Sequence, residues 1–143
     1  MKHKYLLLCV LVSALFAACS GEPAPVRTVR AFHQEISAIQ PPEQEEGGII
    51  TAPDGFRTLT QIFTDYTTET EVPANSFTLA IVAGMLQFRD MEYELVSQDG
   101  DCAVVGVHGI VVTNQEESPF EGNYVLVRQG RRWLIDLDAR SCE

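Results

Sequence analysis

The feature that most constrains this chain is a change in the period of its hydrophobic residues. From Val26 to Ile39 and again from Phe56 to Tyr66 apolar side chains recur every third or fourth position, and from Met91 to Leu95 they alternate, before a run from Cys102 to Thr113 that is apolar on both faces. A period near 3.6 lays side chains along one stripe of a helix, and a period of two lays them on one face of a strand. Helices first and an antiparallel meander afterwards is an α+β pattern, with the N-terminal helices packed in the concave face of a curved antiparallel sheet.

Val26, Val29, Phe32, Ile36 and Ile39 make the first stripe, with Pro25 suited to a first helical turn and Pro41-Pro42 ending the helix. Glu43 to Gly55 reads as a loop, with Ile49-Ile50 pinned to the core. Phe56, Leu59, Ile62, Phe63 and Tyr66 predict a second helix capped by Asp54, after which the threonine-rich run Thr67 to Pro73 returns to loop. Ser76 to Met85 reads as a short buried helix, with a strand as the alternative.

Met91, Tyr93 and Leu95 alternate with Glu92 and Glu94 as a half-buried strand, and Asp99-Gly100 marks a turn. The valine-rich run Cys102 to Thr113 predicts a long central strand bent at Gly106 and Gly109. Asn114 to Gly122 reads as an acidic loop. Tyr124 to Arg128 and Arg131 to Leu137 flank Gln129-Gly130 as a hairpin, with Tyr124, Leu126, Trp133, Ile135 and Leu137 on apolar faces.

The 143 residues, 45% of them hydrophobic, suit one domain with a real core, placed at residues 25–143. A net charge of −10 excludes nucleic acid as a partner, since phosphates demand basic patches. Residues 1–18 combine Lys2 and Lys4, the apolar run Tyr5 to Phe16 and the small pair Ala17-Ala18, the three zones of a secretory signal peptide. About a dozen apolar residues cover roughly 18 Å as a helix, short of the roughly 30 Å needed to span a bilayer.

Leu15-Phe16-Ala17-Ala18-Cys19 resembles the bacterial lipoprotein signal, in which lipid is attached to the cysteine thiol and the leader is cut just before it. Phe16 stands where that signal usually has an aliphatic residue; the competing reading is an ordinary signal peptide that leaves Cys19 a thiol or a disulfide partner. The resemblance implies an extracytoplasmic, lipid-anchored membrane protein, with residues 19–24 as a tether. With Ser20 after the cysteine, the expected place is the periplasmic side of the outer membrane in a diderm host, and otherwise the outer face of the cytoplasmic membrane. Both lysines lie in the leader, so the mature chain has eight arginines against twenty acidic residues, a charge of −12. Such a surface is repelled by anionic headgroups, which leaves anchoring to the acyl chains. Cys9 leaves with the leader, and Cys102 and Cys142 remain as a pair in an oxidising compartment, where a disulfide is expected.

Met91-Glu92-Tyr93-Glu94-Leu95-Val96, then Asp99-Gly100-Asp101-Cys102-Ala103-Val104-Val105, and then Tyr124 through Ile135 with the run LVRQGRRWLI resemble the C-terminal half of nuclear transport factor 2-like domains. These include ketosteroid isomerase-like and SnoaL-like proteins, on a cystatin-like layout. The resemblance implies a cone-shaped domain with a pocket between helices and sheet, where a carboxylate or histidine acts as general base beside tyrosine or aspartate hydrogen-bond donors. The residues available for it are His108 in the central strand, Asp65 and Tyr66 at the end of the second helix, and Asp90 before the first strand, with a satisfied core or surface residue as the blander reading of His108.

Against catalysis stand the missing motifs: no GxSxG, no phosphate-binding glycine loop, no HExxH and no EF-hand spacing. His33 has Glu35 near in sequence but off its helical face, and reads as a surface residue. Glu45-Glu46 and Glu116-Glu117 read as solvated loop residues rather than metal ligands, and Arg128 with Arg131-Arg132 as a small basic hairpin. No catalytic residue, metal or cofactor is assigned. The expected function is non-enzymatic binding of a small apolar ligand or an envelope protein partner. The alternatives are an isomerase- or cyclase-like enzyme with a His or Asp base, and a structural envelope lipoprotein.

Overall fold

The computed structural model describes residues 21–39, 43–44, 50–51, 53–69, 85–113 and 115–142. Residues 1–20, read as signal peptide and lipidation site and including Cys9, Cys19 and Ser20, lie outside the described residues, as do the acidic pair 45–46, the glycine pair 47–48 and the stretch 76–84.

The first apolar stripe forms helix α1 (Ala24–Ser37), with Pro25 in its first turn, where no helical donor is lost. Val26, Val29, Phe32, Ile36 and, just past the helix, Ile39 are all buried. Helix α2 (Pro53–Tyr66) begins at Pro53, so Asp54 lies within the helix rather than at its cap; Leu59 and Ile62 are buried. At its end the Thr67 Oγ1 hydroxyl and backbone N–H both donate to the Phe63 carbonyl, at 2.8 and 2.9 Å. The Thr68 N–H then donates to the Ile135 carbonyl at 2.9 Å, which joins the end of α2 to the sheet.

Within the expected loop at Glu43 to Gly55, the two-residue strands β1 (Glu43–Gln44) and β2 (Ile50–Thr51) pair antiparallel. The main sheet has four antiparallel strands in the order β3 (Leu86–Asp99), β4 (Cys102–Thr113), β5 (Glu116–Gln129) and β6 (Arg132–Asp136). Its tight turns place Gly100 at φ 56° and Gly130 at φ 64°, the left-handed region that the glycines at both turn signals allow.

This architecture overturns the expected fold. Strands of 14, 12, 14 and 5 residues outweigh two helices of 14 residues each, so the described chain is chiefly a four-stranded antiparallel sheet. It is not the α+β cone of the nuclear transport factor 2-like type, with N-terminal helices filling a concave sheet. The acidic segment read as a loop is the first half of β5: Glu116 to Gly122 pairs residue for residue with Thr113 to Val107 of β4. Pairing to a long valine-rich neighbour overrides the local preference of Glu, Pro and Gly for loops. Pro119 is tolerated because β6 pairs only with Val125–Gln129, which leaves this part of β5 without that neighbour. Leu137, expected on the apolar face, lies past the end of β6 and is exposed.

Ala103, Val105, Val107, Leu126, Trp133 and Ile135 present the buried face of the sheet to the apolar stripes of α1 and α2. On the other side of the strand ends, Cys142 Sγ lies 2.05 Å from Cys102 Sγ, a disulfide that holds the C-terminal segment against the start of β4.

The glycines of β4, whose ladder with β5 runs without a register shift, face irregularities in β3. The β3–β4 register shifts between Arg89 and Glu92, where Asp90 has φ 52°, and again between Leu95 and Ser97. A Cβ on Gly109 would meet the Met91 sulfur, and would lie 3.0 Å from both the Asp90 carbonyl oxygen and Met91 Cα. The sulfur can swing away, but the backbone of the bulge cannot. Gly109→Ala is expected to destabilise the domain by about 1–3 kcal/mol, the usual cost of overpacking, as read by denaturant unfolding. A stability equal to wild type would show that the bulge is free to move.

Candidate functional site

His33 lies four residues after Val29 and three before Ile36, on the apolar stripe of α1, and is 1% exposed. It is a core residue rather than the surface residue expected, and the signal was its spacing within that stripe. Its Nδ1 lies 3.1 Å from the Tyr93 hydroxyl and its Nε2 2.9 Å from the Tyr124 hydroxyl. A neutral imidazole has one N–H and one lone pair, so one tyrosine accepts from the ring and the other donates to it. Phe88 stacks on the ring at 4.0 Å and 9°, and Phe120 meets it edge-on at 6.0 Å.

This apolar surround sets the protonation states. Burial lowers the His33 pKa to about 4, which keeps the ring neutral at physiological pH. Burial likewise raises Tyr124 to about 12, with the neighbouring Tyr93 adding to the effect, and raises Tyr93 above its ordinary value. Among the described residues no buried side-chain nitrogen or oxygen lacks a partner.

Beside this network α1 and β3 diverge into an open cleft of about 370 Å³, where Arg30, His33 and Ser37 face Phe88, Met91 and Tyr93. That volume is within the range of small-ligand sites. The bulge in β3 shapes it. Phe88 pairs with Val111 and Tyr93 with Val107, so both point to the buried face although five residues apart, a spacing that strict alternation puts on opposite faces. The Ser37 hydroxyl accepts from the Phe88 N–H at 3.1 Å and ties helix to strand at the cleft floor. Above it the Arg30 guanidinium sits 4.5 Å from the centre of the Tyr93 ring. Arg30 also donates to Glu22 Oε1 through Nε at 3.1 Å and through Nη2 at 2.5 Å, and this bond raises the arginine's pKa further.

The residues expected to share a pocket are not gathered into one. His108 points to the face of the sheet opposite its buried neighbour Val107. Its side chain is exposed, with Nε2 3.1 Å from Glu92 Oε2 and Glu121 opposite in register. Asp65 and Tyr66 do lie together, on the rim of a separate opening between α1 and α2 with Glu35 and Gln61. Burial, then the nearby Glu35 and Asp65 charges, raise the Tyr66 pKa. Asp65 is exposed; its carboxylate accepts from Gln61 at 2.8 Å, and its backbone carbonyl accepts from Arg132.

Of the basic hairpin, Arg128 is held by Asp101 at 2.7 Å and lies over Trp133, while Arg131 and Arg132 border a third opening together with Arg27. Glu117, read as a solvated loop residue, pairs with Arg89 at 2.9 Å across the strands. Among the described residues no group of three His, Cys, Asp or Glu side chains is arranged to hold a metal ion, and no helix is long and apolar enough to cross a membrane. Comparison of the chain with protein-family models, with curated proteins and with solved structures finds no match in any of the three.

Proposed function

We propose that this chain is a lipid-anchored, extracytoplasmic binding domain that holds a small ligand with an apolar body in the cleft between α1 and β3. The observation that carries the reading is that cleft: an aromatic and thioether wall from Phe88, Met91 and Tyr93, with a guanidinium laid over one ring. Aromatic rings and a methionine offer dispersion and edge contacts to an apolar guest, and a few polar groups orient it. Binding is favoured over proton transfer because both nitrogens of His33 are already committed to tyrosine hydroxyls behind the cleft. The anchor is Cys19, on the lipoprotein-like residues that precede it.

Native mass spectrometry of the gently purified protein tests the ligand. The expected result is a species heavier than the acylated chain by one small molecule, absent in Ala38→Trp, which fills the cleft from its exposed rim. A bare mass, or a bound species that survives Ala38→Trp, defeats the assignment. Cys19→Ser is expected to move the protein from the membrane to the soluble fraction, and unchanged membrane association defeats the anchor.

A further inference from the structure

We infer that the cleft between α1 and β3 recognises a carboxylate through Arg30, and that Glu22 is an intramolecular carboxylate occupying that position until a ligand displaces it. The inference rests on the cleft being the ligand site. It adds the chemical class of the guest, a small carboxylate on an apolar and preferably aromatic body, together with a competitor built into the chain.

Three observations converge on it. Glu22 lies before the first turn of α1, in the segment that leads to the helix, yet its Oε1 reaches Arg30 and accepts from both Nε and Nη2. The guanidinium fork matches carboxylate geometry and is held in place by the Tyr93 ring beneath it, so the position is prepared for an anion. The Tyr93 hydroxyl is in turn fixed by His33, which anchors the platform in the core. A guest with a carboxylate could place that group where Glu22 now sits and lay its body along Met91 and Phe88.

The contact is also weak enough to be exchanged. The two side chains remain 40% and 32% exposed, so water can replace either partner at little cost. Glu22 follows Cys19 by three residues, at most about 11 Å of extended chain. Under the proposed anchoring the competitor therefore belongs to the tether itself. Drawing the tether away from α1 would free Arg30, and a carboxylate bound at Arg30 would release the tether, since coupling between two binding events is reciprocal.

Isothermal titration of the full chain with 3-phenylpropionate, and with 3-phenylpropanol as the neutral isostere, tests this. Glu22→Gln is expected to tighten 3-phenylpropionate about fivefold, the factor that about 1 kcal/mol represents, and to leave the alcohol unchanged. Arg30→Gln is expected to weaken the carboxylate about tenfold and remove its advantage over the alcohol. The Glu22→Gln comparison alters an exposed residue and stands even where Arg30→Gln lowers stability. Equal binding of acid and alcohol, unmoved by Glu22→Gln, overturns the carboxylate site while leaving an apolar cleft. No binding of either probe to any of the chains overturns the inference and the cleft reading together.

Discussion

Replacing His33 by alanine is expected to destabilise the domain by about 3–5 kcal/mol, enough to unfold a chain of ordinary stability. The loss has two parts. The ring leaves a void beneath Phe88, which stacks on it at 4.0 Å, and the Tyr93 and Tyr124 hydroxyls lose the nitrogens at 3.1 and 2.9 Å. Adding Tyr93→Phe and Tyr124→Phe to His33→Leu should recover part of the loss, because removing every polar member of a buried network costs less than removing one. Thermal and denaturant unfolding read both effects. A loss below about 1 kcal/mol in His33→Ala would show that the network carries little of the stability.

The same residue sets a pH dependence. The folded-state pKa of about 4 lies below the roughly 6.5 of an unfolded histidine, so the unfolded chain takes up the proton first. The contribution is fully present above pH 6.5 and is lost as pH falls toward 4, by up to about 3 kcal/mol. Carboxylates also titrate in this range. The diagnostic is therefore the difference between wild type and His33→Leu, whose stability should fall less between pH 6.5 and 4. Parallel curves for the two proteins would contradict a neutral buried His33.

The second large effect is expected from reduction of Cys102–Cys142. The bridge spans a sequence separation of 40 residues, and opening it releases chain entropy in the unfolded state worth roughly 4 kcal/mol. For a domain of this size that is on the order of 10–15 °C in Tm. Cys142→Ser should reproduce the drop and make the protein insensitive to reductant. Equal melting temperatures with and without reductant would show that the thiols are not bonded in solution. Since the disulfide ties a C-terminal segment to the start of β4, proteolysis of the reduced protein should begin past Asp136.

The elements legible in advance were those whose signal is local. The stripe Val26, Val29, Phe32 and Ile36 forms α1 with Ile39 buried just past it, and the Gly100 and Gly130 turns fall at the dipeptides that mark them. What escaped was whatever a neighbouring strand decides. Glu116 to Gly122 has the composition of a loop, yet it is strand because Val107 to Thr113 offers it a complete ladder. The expected helix-filled cone fails for the same reason, since the segment read as loop extends the sheet until, among the described residues, it outweighs the two helices. The two histidines show the same limit. His108 sits in an apolar run but on the exposed face of β4, and His33 was judged by its neighbour Glu35 instead of by its place in the stripe.

The sequence by itself determined the helical and strand periods, the turns and the acidic balance, because each of these is a property of residue type and spacing. Only the tertiary structure decided that β3 bulges at Asp90 and so turns Phe88 and Tyr93 to the same face. It alone brought Tyr93 and Tyr124 to the two nitrogens of His33, 60 and 91 residues away, and laid Arg30 between Glu22 and the Tyr93 ring. The His33 contacts form by burial and register rather than by local preference, and no short window of sequence contains both partners.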